Sequence, residues 1–148
     1  MSKTIGEVVH AKRCECSVEQ NSSLRDTLGY MRDRSLGAVA VMDGDRVVGV
    51  IAGRDIIRRV VLENVDMSET TARDIMTSPV FWISTDEHHE VAAAIMVDQD
   101  LRQLVVLDGN KEFWGFVTAL ELLQIDLVES RKLVGKLNDS YYAPKYHG

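Results

Sequence analysis

The chain has 148 residues, 45% of them apolar and 27% charged, with a formal net charge of −6. This length and apolar share suit one compact domain or two small halves sharing a core, and exclude a disordered chain. The negative balance argues against bulk affinity for nucleic acid or an anionic membrane surface, which requires a clustered basic face.

In chain order, Met1 to Glu7 places an acid where a secretory leader needs its apolar segment, and no later apolar run approaches the roughly 20 residues that span a bilayer. A cytoplasmic location and no membrane partner are expected. Thr4 to Val9 reads as a short helical or irregular entry. Cys14 to Val18 reads as a brief strand with both cysteines on one face. A C-x-C pair, even with His10 nearby, falls short of the four ligands of a structural zinc site, so small buried fillers are the simpler reading. Ser22 or Ser23 caps a helix whose apolar face is Leu24, Leu28 and Met31, expected together with Val91 and Ile95 of the second repeat to supply a homodimer surface. Val39–Met42 and Val47–Ala52 flank the turn Asp43-Gly44-Asp45, a hairpin signal. Ile56, Ile57, Val60 and Val61 recur at helical spacing and predict a helix from about Arg54 to Glu63. Its Arg58 and Arg59 suit a solvated face or, with Arg54, a local basic cluster.

Asn64 to Thr71 is a polar connector. Ala72 to Thr77 predicts a short helix stopped ahead of Pro79, and Val80 to Ser84 a strand. Asp86 is the candidate N-cap of a helix carrying Val91, Ala92, Ile95 and Met96. His88 and His89 are adjacent, about 100° apart on such a helix, which is poor metal geometry and predicts surface positions. Leu104–Leu107 and Phe113–Thr118 form a second hairpin around Gly109-Asn110, followed by a helix from Ala119 that extends through Leu127 and Val134. Trp82 and Trp114 suit core or interface anchors. From Asn138 the chain reads as a tail bearing Tyr141, Tyr142 and Tyr146.

The middle of the chain repeats itself. Leu36-Gly37-Ala38-Val39-Ala40-Val41-Met42-Asp43-Gly44 returns 65 residues later as Leu101-Arg102-Gln103-Leu104-Val105-Val106-Leu107-Asp108-Gly109. Each copy reads β-α-β-β-α, and a three-stranded sheet with helices on one face leaves apolar surface for the other copy to cover. The predicted fold is therefore α/β (α+β), two pseudo-twofold-related β-α-β-β-α repeats packed as one module. The expected divisions are 4–65 and 72–127 for the repeats and 128–148 for a C-terminal helix extension and tail.

Gly49-Val50-Ile51-Ala52-Gly53-Arg54-Asp55-Ile56 and Gly115-Phe116-Val117-Thr118-Ala119-Leu120-Glu121-Leu122 resemble the end-of-repeat motif of cystathionine β-synthase-type (CBS) domains, Gly-hydrophobic-hydrophobic-Thr/Ser-x-x-Asp-hydrophobic. Ala72–Thr77 is similar to the segment that opens the family's second repeat, and Leu101–Val106 to its Val-Arg-His-Leu-Pro-Val, with Gln103 for His and Val105 for Pro. The whole chain looks like a stand-alone tandem CBS pair. The resemblance implies a homodimer of such pairs and clefts for adenosine-containing ligands such as AMP, ADP, ATP or S-adenosylmethionine, with no obligatory cofactor. A helix N-terminus suits phosphate, and a carboxylate one turn later suits the vicinal hydroxyls of ribose.

Carried over residue by residue, the first cleft comprises Ala52, Gly53, Arg54 and Asp55, with the ribose acid and a cation but no hydroxyl at Ala52. The second comprises Thr77, Arg102, Thr118 and Glu121, with the hydroxyl but a longer acid, and Leu120 in place of Arg54. The first is the favoured cleft. Simpler roles stand beside these: Asp55 and Glu121 suit helix N-termini through the dipole, and Thr118 suits an N-cap. No nucleophile elbow, phosphate loop, dinucleotide fingerprint or zinc-binding helix motif is present, so no catalytic or metal-binding residue is assigned and the chain is not read as an enzyme. A regulatory module acting on an unidentified protein partner is the leading expectation. A ligand-free structural or interaction dimer is the alternative, and a redox adaptor using Cys14 and Cys16 a third reading.

Overall fold

A computed structural model describes residues 2–10 and 15–126. The expected C-terminal extension and tail at 128–148, Cys14, and the continuation of the last helix through Leu127 and Val134 lie outside these described residues.

The first half consists of α1 (Ile5–Val8), β1 (Ser17–Glu19), α2 (Leu24–Asp33), β2 (Ala38–Asp43), β3 (Arg46–Ala52) and α3 (Gly53–Ile56), which runs on as a π-helical segment, Ile57–Val61. The second consists of α4 (Ala72–Ile75), β4 (Trp82–Ser84), α5 (His89–Gln99), β5 (Gln103–Leu107), β6 (Phe113–Thr118) and α6 (Ala119–Asp126). Each half forms a three-stranded sheet, β1-β2-β3 or β4-β5-β6. In both, the first strand pairs parallel with the second and the hairpin is antiparallel. The repeated order read from the sequence is thus the observed one, and the fold is a mixed α+β pair of related units.

Alternation along the strands explains how the halves join. Val39, Val41 and Ile51 face the helices of the first half, while Leu104, Val106 and Val117 face those of the second. The opposite faces meet in a third cluster of Cys16, Ala40, Val105 and Phe113. Cys16 is therefore a buried filler between the sheets, just ahead of β1. Phe113 and Phe116 meet edge to face, with centroids 5.6 Å apart.

The short opening helices are exchanged. α1 sits against the second half, where Ile5 N–H donates to Glu87 O at 2.8 Å and Gly6 N–H to Thr85 O at 2.9 Å. α4 sits against the first, where Ala72 N–H donates to Ser22 O at 2.9 Å and Arg73 N–H to Gln20 O at 3.0 Å. Beyond α4 the chain crosses β3, with paired bonds of 2.8 and 3.0 Å between Thr77 and Val50. Gly49 is required at this crossing, because a Cβ there would collide with the Met76 side chain.

Four local expectations change. The helix expected over Arg54–Glu63 widens into π geometry, with Leu62 N–H bonded to Ile57 O at 3.0 Å, so Val60 is buried while Ile57, Val61 and Leu62 face outward. The Leu24-Leu28-Met31 face, a candidate dimer surface by its amphipathicity, closes the core of its own half: Leu24 and Met31 are buried and Leu28 packs against them. The N-cap of α5 is His88 rather than Asp86, and His89 is buried, with its Nδ1 accepting from Lys3 N–H at 3.0 Å. A polar ring is accommodated there because the exchanged α1 segment supplies a backbone donor. Trp82 is exposed, whereas Trp114 is partly buried and donates from Nε1 to Val9 O at 2.8 Å.

Candidate functional site

One cleft of about 640 Å³ opens between the halves at the ends of β3 and β5. Its polar wall is formed by Ala52, Gly53, Arg54, Asp55 and Arg58 from the end of the first repeat, faced by Thr77, Asp100 and Arg102. The apolar wall includes Val80, Phe81, Leu101, Val105 and Phe116. A volume of this size, apolar on one side with a few convergent charges on the other, is typical of small-molecule pockets.

Asp55 is the hub. It is one turn into the helix that follows β3, where its Oδ2 accepts the Ala52 N–H at 2.9 Å. Its Oδ1 accepts the Thr77 hydroxyl from the crossing segment. The Arg59 guanidinium stands 3.9 Å from the same Oδ1 and donates to the carbonyls of Ile75 and Met76, at 3.1 and 2.6 Å. The carboxylate is buried yet borders the cleft, and these donors compensate the cost of burying its charge. A carboxylate offers about four acceptor positions, so Asp55 retains capacity for a ligand.

Three guanidinium groups, those of Arg54, Arg58 and Arg102, border the cleft with their side chains exposed to solvent. Arg54 reaches across the mouth, its Nη2 lying 3.4 Å from Asp100 O and 4.0 Å from Asp100 Oδ2.

This grouping differs from the one read from the sequence. Thr77 and Arg102, expected with the second cleft, border the first. The crossing of β3 brings Thr77 to Asp55, and the face-to-face sheets bring the corner before β5 opposite α3. Thr118 and Glu121 do not line this cleft. They bond to one another: Glu121 Oε1 accepts Thr118 N–H at 3.0 Å and its hydroxyl at 2.9 Å, while Glu121 N–H donates to Thr118 Oγ1 at 3.2 Å. This is a reciprocal N-terminal cap of α6. Sequence reading missed Phe81, Leu101 and Asp100 as cleft residues. Arg58 was legible only as part of a basic cluster; the spacing of Arg54 and Arg58, four residues apart, was the available signal.

No group of three or more His, Cys, Asp or Glu side chains placed to hold a metal ion occurs among the described residues. Nor, among them, is any helix long and apolar enough to cross a membrane.

Two repeats of one β-α-β-β-α unit, packed sheet to sheet around a cleft with an acid after β3, define a tandem-repeat architecture. The family profile of the CBS domain matches residues 5–62 and 72–127, and the chain belongs to that family. An uncharacterized protein of Methanopyrus kandleri is 31% identical over 126 residues, 84% of this chain and 63% of that protein. Two further curated relatives are spanned over only 35% and 34% of their length. Among solved structures, a putative signal-transduction protein with CBS domains from Burkholderia ambifaria superposes with a TM-score of 0.76 at 25% identity, covering 97% of this chain and 100% of that one. CBSX2 from Arabidopsis thaliana, in complex with AMP, gives 0.71 at 19% identity over 86% of this chain and 98% of that one.

Proposed function

We propose that this chain is a regulatory module that binds an adenosine-containing ligand in the cleft around Asp55 and passes the resulting change of shape to a protein partner. The observation that carries this reading is the convergence, in one cleft, of a buried carboxylate, three arginines and an apolar wall. Asp55 would accept the ribose hydroxyls, the base would lie against Phe81, Leu101 and Val105, and the phosphates would be met by Arg54, Arg58 and Arg102. The AMP held by the fold relative CBSX2 supports the ligand class.

The mechanism follows from the bonds Asp55 already makes. A ligand that bonds to Asp55 shares that carboxylate with the Thr77 hydroxyl, which belongs to the segment crossing between the halves. Ligand binding biases the module only insofar as it favours one arrangement of that segment over another. A homodimer in the cytoplasm is part of the proposal. Its contact surface is the outward face of Val61 and Leu62, which are 64% and 72% exposed. Val61→Glu should yield monomers by light scattering.

Calorimetric titration with AMP, ADP, ATP, NADH and S-adenosylmethionine tests the ligand, together with a rise in melting temperature as ligand concentration grows. Saturable binding of one of these, weakened on the order of tenfold to a hundredfold in Asp55→Ala, is the expected result. The second reading, a structural or interaction dimer that binds nothing, draws on the donors that already surround Asp55 without any ligand. A folded protein whose melting temperature none of the five compounds moves would favour it.

A further inference from the structure

We propose that Asp100 sets how many phosphates the cleft accepts. This rests on the reading of the cleft as a nucleotide site and adds to it a residue that tunes ligand charge. Asp100 ends α5 in the left-handed region, φ 53° and ψ 50°, and borders the cleft mouth. Its carbonyl and carboxylate both face the Arg54 guanidinium, at 3.4 and 4.0 Å. Among the described residues it adds the one carboxylate, besides Asp55, to a rim otherwise formed by Arg54, Arg58 and Arg102.

The other repeat shows that the corner does not need this charge. Ser35 occupies the corresponding corner ahead of β2, also at φ 53°, and is followed by Leu36-Gly37 where the second repeat has Leu101-Arg102. Gly37 and Arg102 both line the cleft, so the neutral and the charged corner are opposed across the same space. Asparagine adopts the left-handed region as readily as aspartate. The turn alone therefore leaves the carboxylate unexplained. At the mouth it has two effects on an entering polyanion: it repels the outer phosphates, and it holds Arg54 away from them. Both effects grow with the number of phosphates and vanish for a neutral nucleoside.

The test compares wild type, Asp100→Asn and Asp98→Asn in calorimetric titrations with adenosine, AMP, ADP and ATP, at low and high salt. Asp98 is an exposed acid on the same helix that does not border the cleft. Asp100→Asn should tighten ATP by roughly threefold to tenfold at low salt, ADP by less, and leave adenosine unchanged, the gain shrinking as salt rises. Asp98→Asn should leave the series as it is. If the asparagine variant proves unstable by thermal melting, Asp100→Ser, which copies the first repeat, takes its place with the same expectation. A gain equal for adenosine and ATP, no gain at all, or the same gain in Asp98→Asn would overturn the assignment while leaving the nucleotide reading intact. Folded proteins that bind no member of the series would overturn both.

Discussion

The two turns that end the repeats follow the same pattern, a glycine, two apolar residues and an acid three positions after the strand's last residue, and settle into different chemistry. In the second, Thr118 and Glu121 close on each other, hydroxyl to backbone and carboxylate to backbone, so the acid is satisfied within four residues. In the first, Ala52 has no hydroxyl to offer. Asp55 still reaches back to the Ala52 N–H, but its other oxygen is left open, and a hydroxyl from the far half, Thr77, fills it. Glu121 takes both local donors on one oxygen, whereas Asp55 holds its local donor on Oδ2 and a tie between the halves on Oδ1.

Removing the two acids should separate these roles most widely. Asp55→Ala strips the partner from the Ala52 N–H, the Thr77 hydroxyl and Arg59 at once, in a buried setting, and should cost about 2–3 kcal/mol of stability. Glu121→Ala leaves the Thr118 hydroxyl free to cap α6 and should cost about 1 kcal/mol or less. Chemical denaturation of both variants measures the difference, and equal costs would show that the tie to Thr77 contributes little. For a bound nucleotide the contrast should be larger still. Asp55→Ala should weaken binding on the order of tenfold to a hundredfold, from the loss of about 1.5–3 kcal/mol of charged hydrogen bonding. Glu121→Ala should leave affinity nearly unchanged.

How much of this was legible beforehand depends on the range of the interaction. The two hairpins, the repeat and the cap at Thr118 rest on neighbours within a few residues, and the amino-acid pattern carries them directly. The exchange of α1 and α4 does not. Nothing in Ala72–Thr77 says that it packs on the half that precedes it, so motif order alone sets Thr77 with the second cleft. The same exchange brings Lys3 to His89 and buries a ring that helical spacing alone places outside. Leu24, Leu28 and Met31 show the converse: an amphipathic stripe announces burial without saying whether the cover is the same chain or a second copy. Phe81 escapes notice because strand alternation assigns a face only once the strand's limits are known, and β4 begins at Trp82 rather than Val80.

A smaller effect should come from the hydroxyls themselves. Thr77→Val keeps the shape and deletes the bond to Asp55, while Thr118→Val deletes the cap of α6, and each should cost about 1 kcal/mol. The two are separable by where the loss appears. Thr118→Val should loosen amide protection in α6 alone, because its partners are local. Thr77→Val should loosen protection at Thr77 and Val50 together, because their paired backbone bonds depend on the crossing segment staying in place. Protection lost in α6 for both variants would argue that the halves open as one unit and that the tie is not a separate element.

The smallest effect sharpens the comparison most, because it asks whether the first turn can be made to behave like the second. Ala52→Thr supplies the oxygen that Thr118 has. By the geometry of the second turn, the new hydroxyl would donate to the carboxylate three residues on and accept the N–H of the same residue. The net change in stability should be modest, a gain of about 0.5–1 kcal/mol from the cap. The informative quantity is the coupling. In the wild-type background Thr77→Val removes a bond that Asp55 uses. In the second turn one oxygen of Glu121 accepts both the Thr118 N–H and the Thr118 hydroxyl. On that geometry the introduced hydroxyl shares Oδ2 with the N–H of its own residue and leaves Oδ1 to Thr77, so Thr77→Val should cost nearly as much in the Ala52→Thr background. A double-mutant cycle by denaturation should therefore come out additive to within about 0.5 kcal/mol. A coupling well above that would mean that the introduced hydroxyl displaces Thr77 from Oδ1, and that the missing hydroxyl at Ala52 is what leaves room for the tie between the two halves.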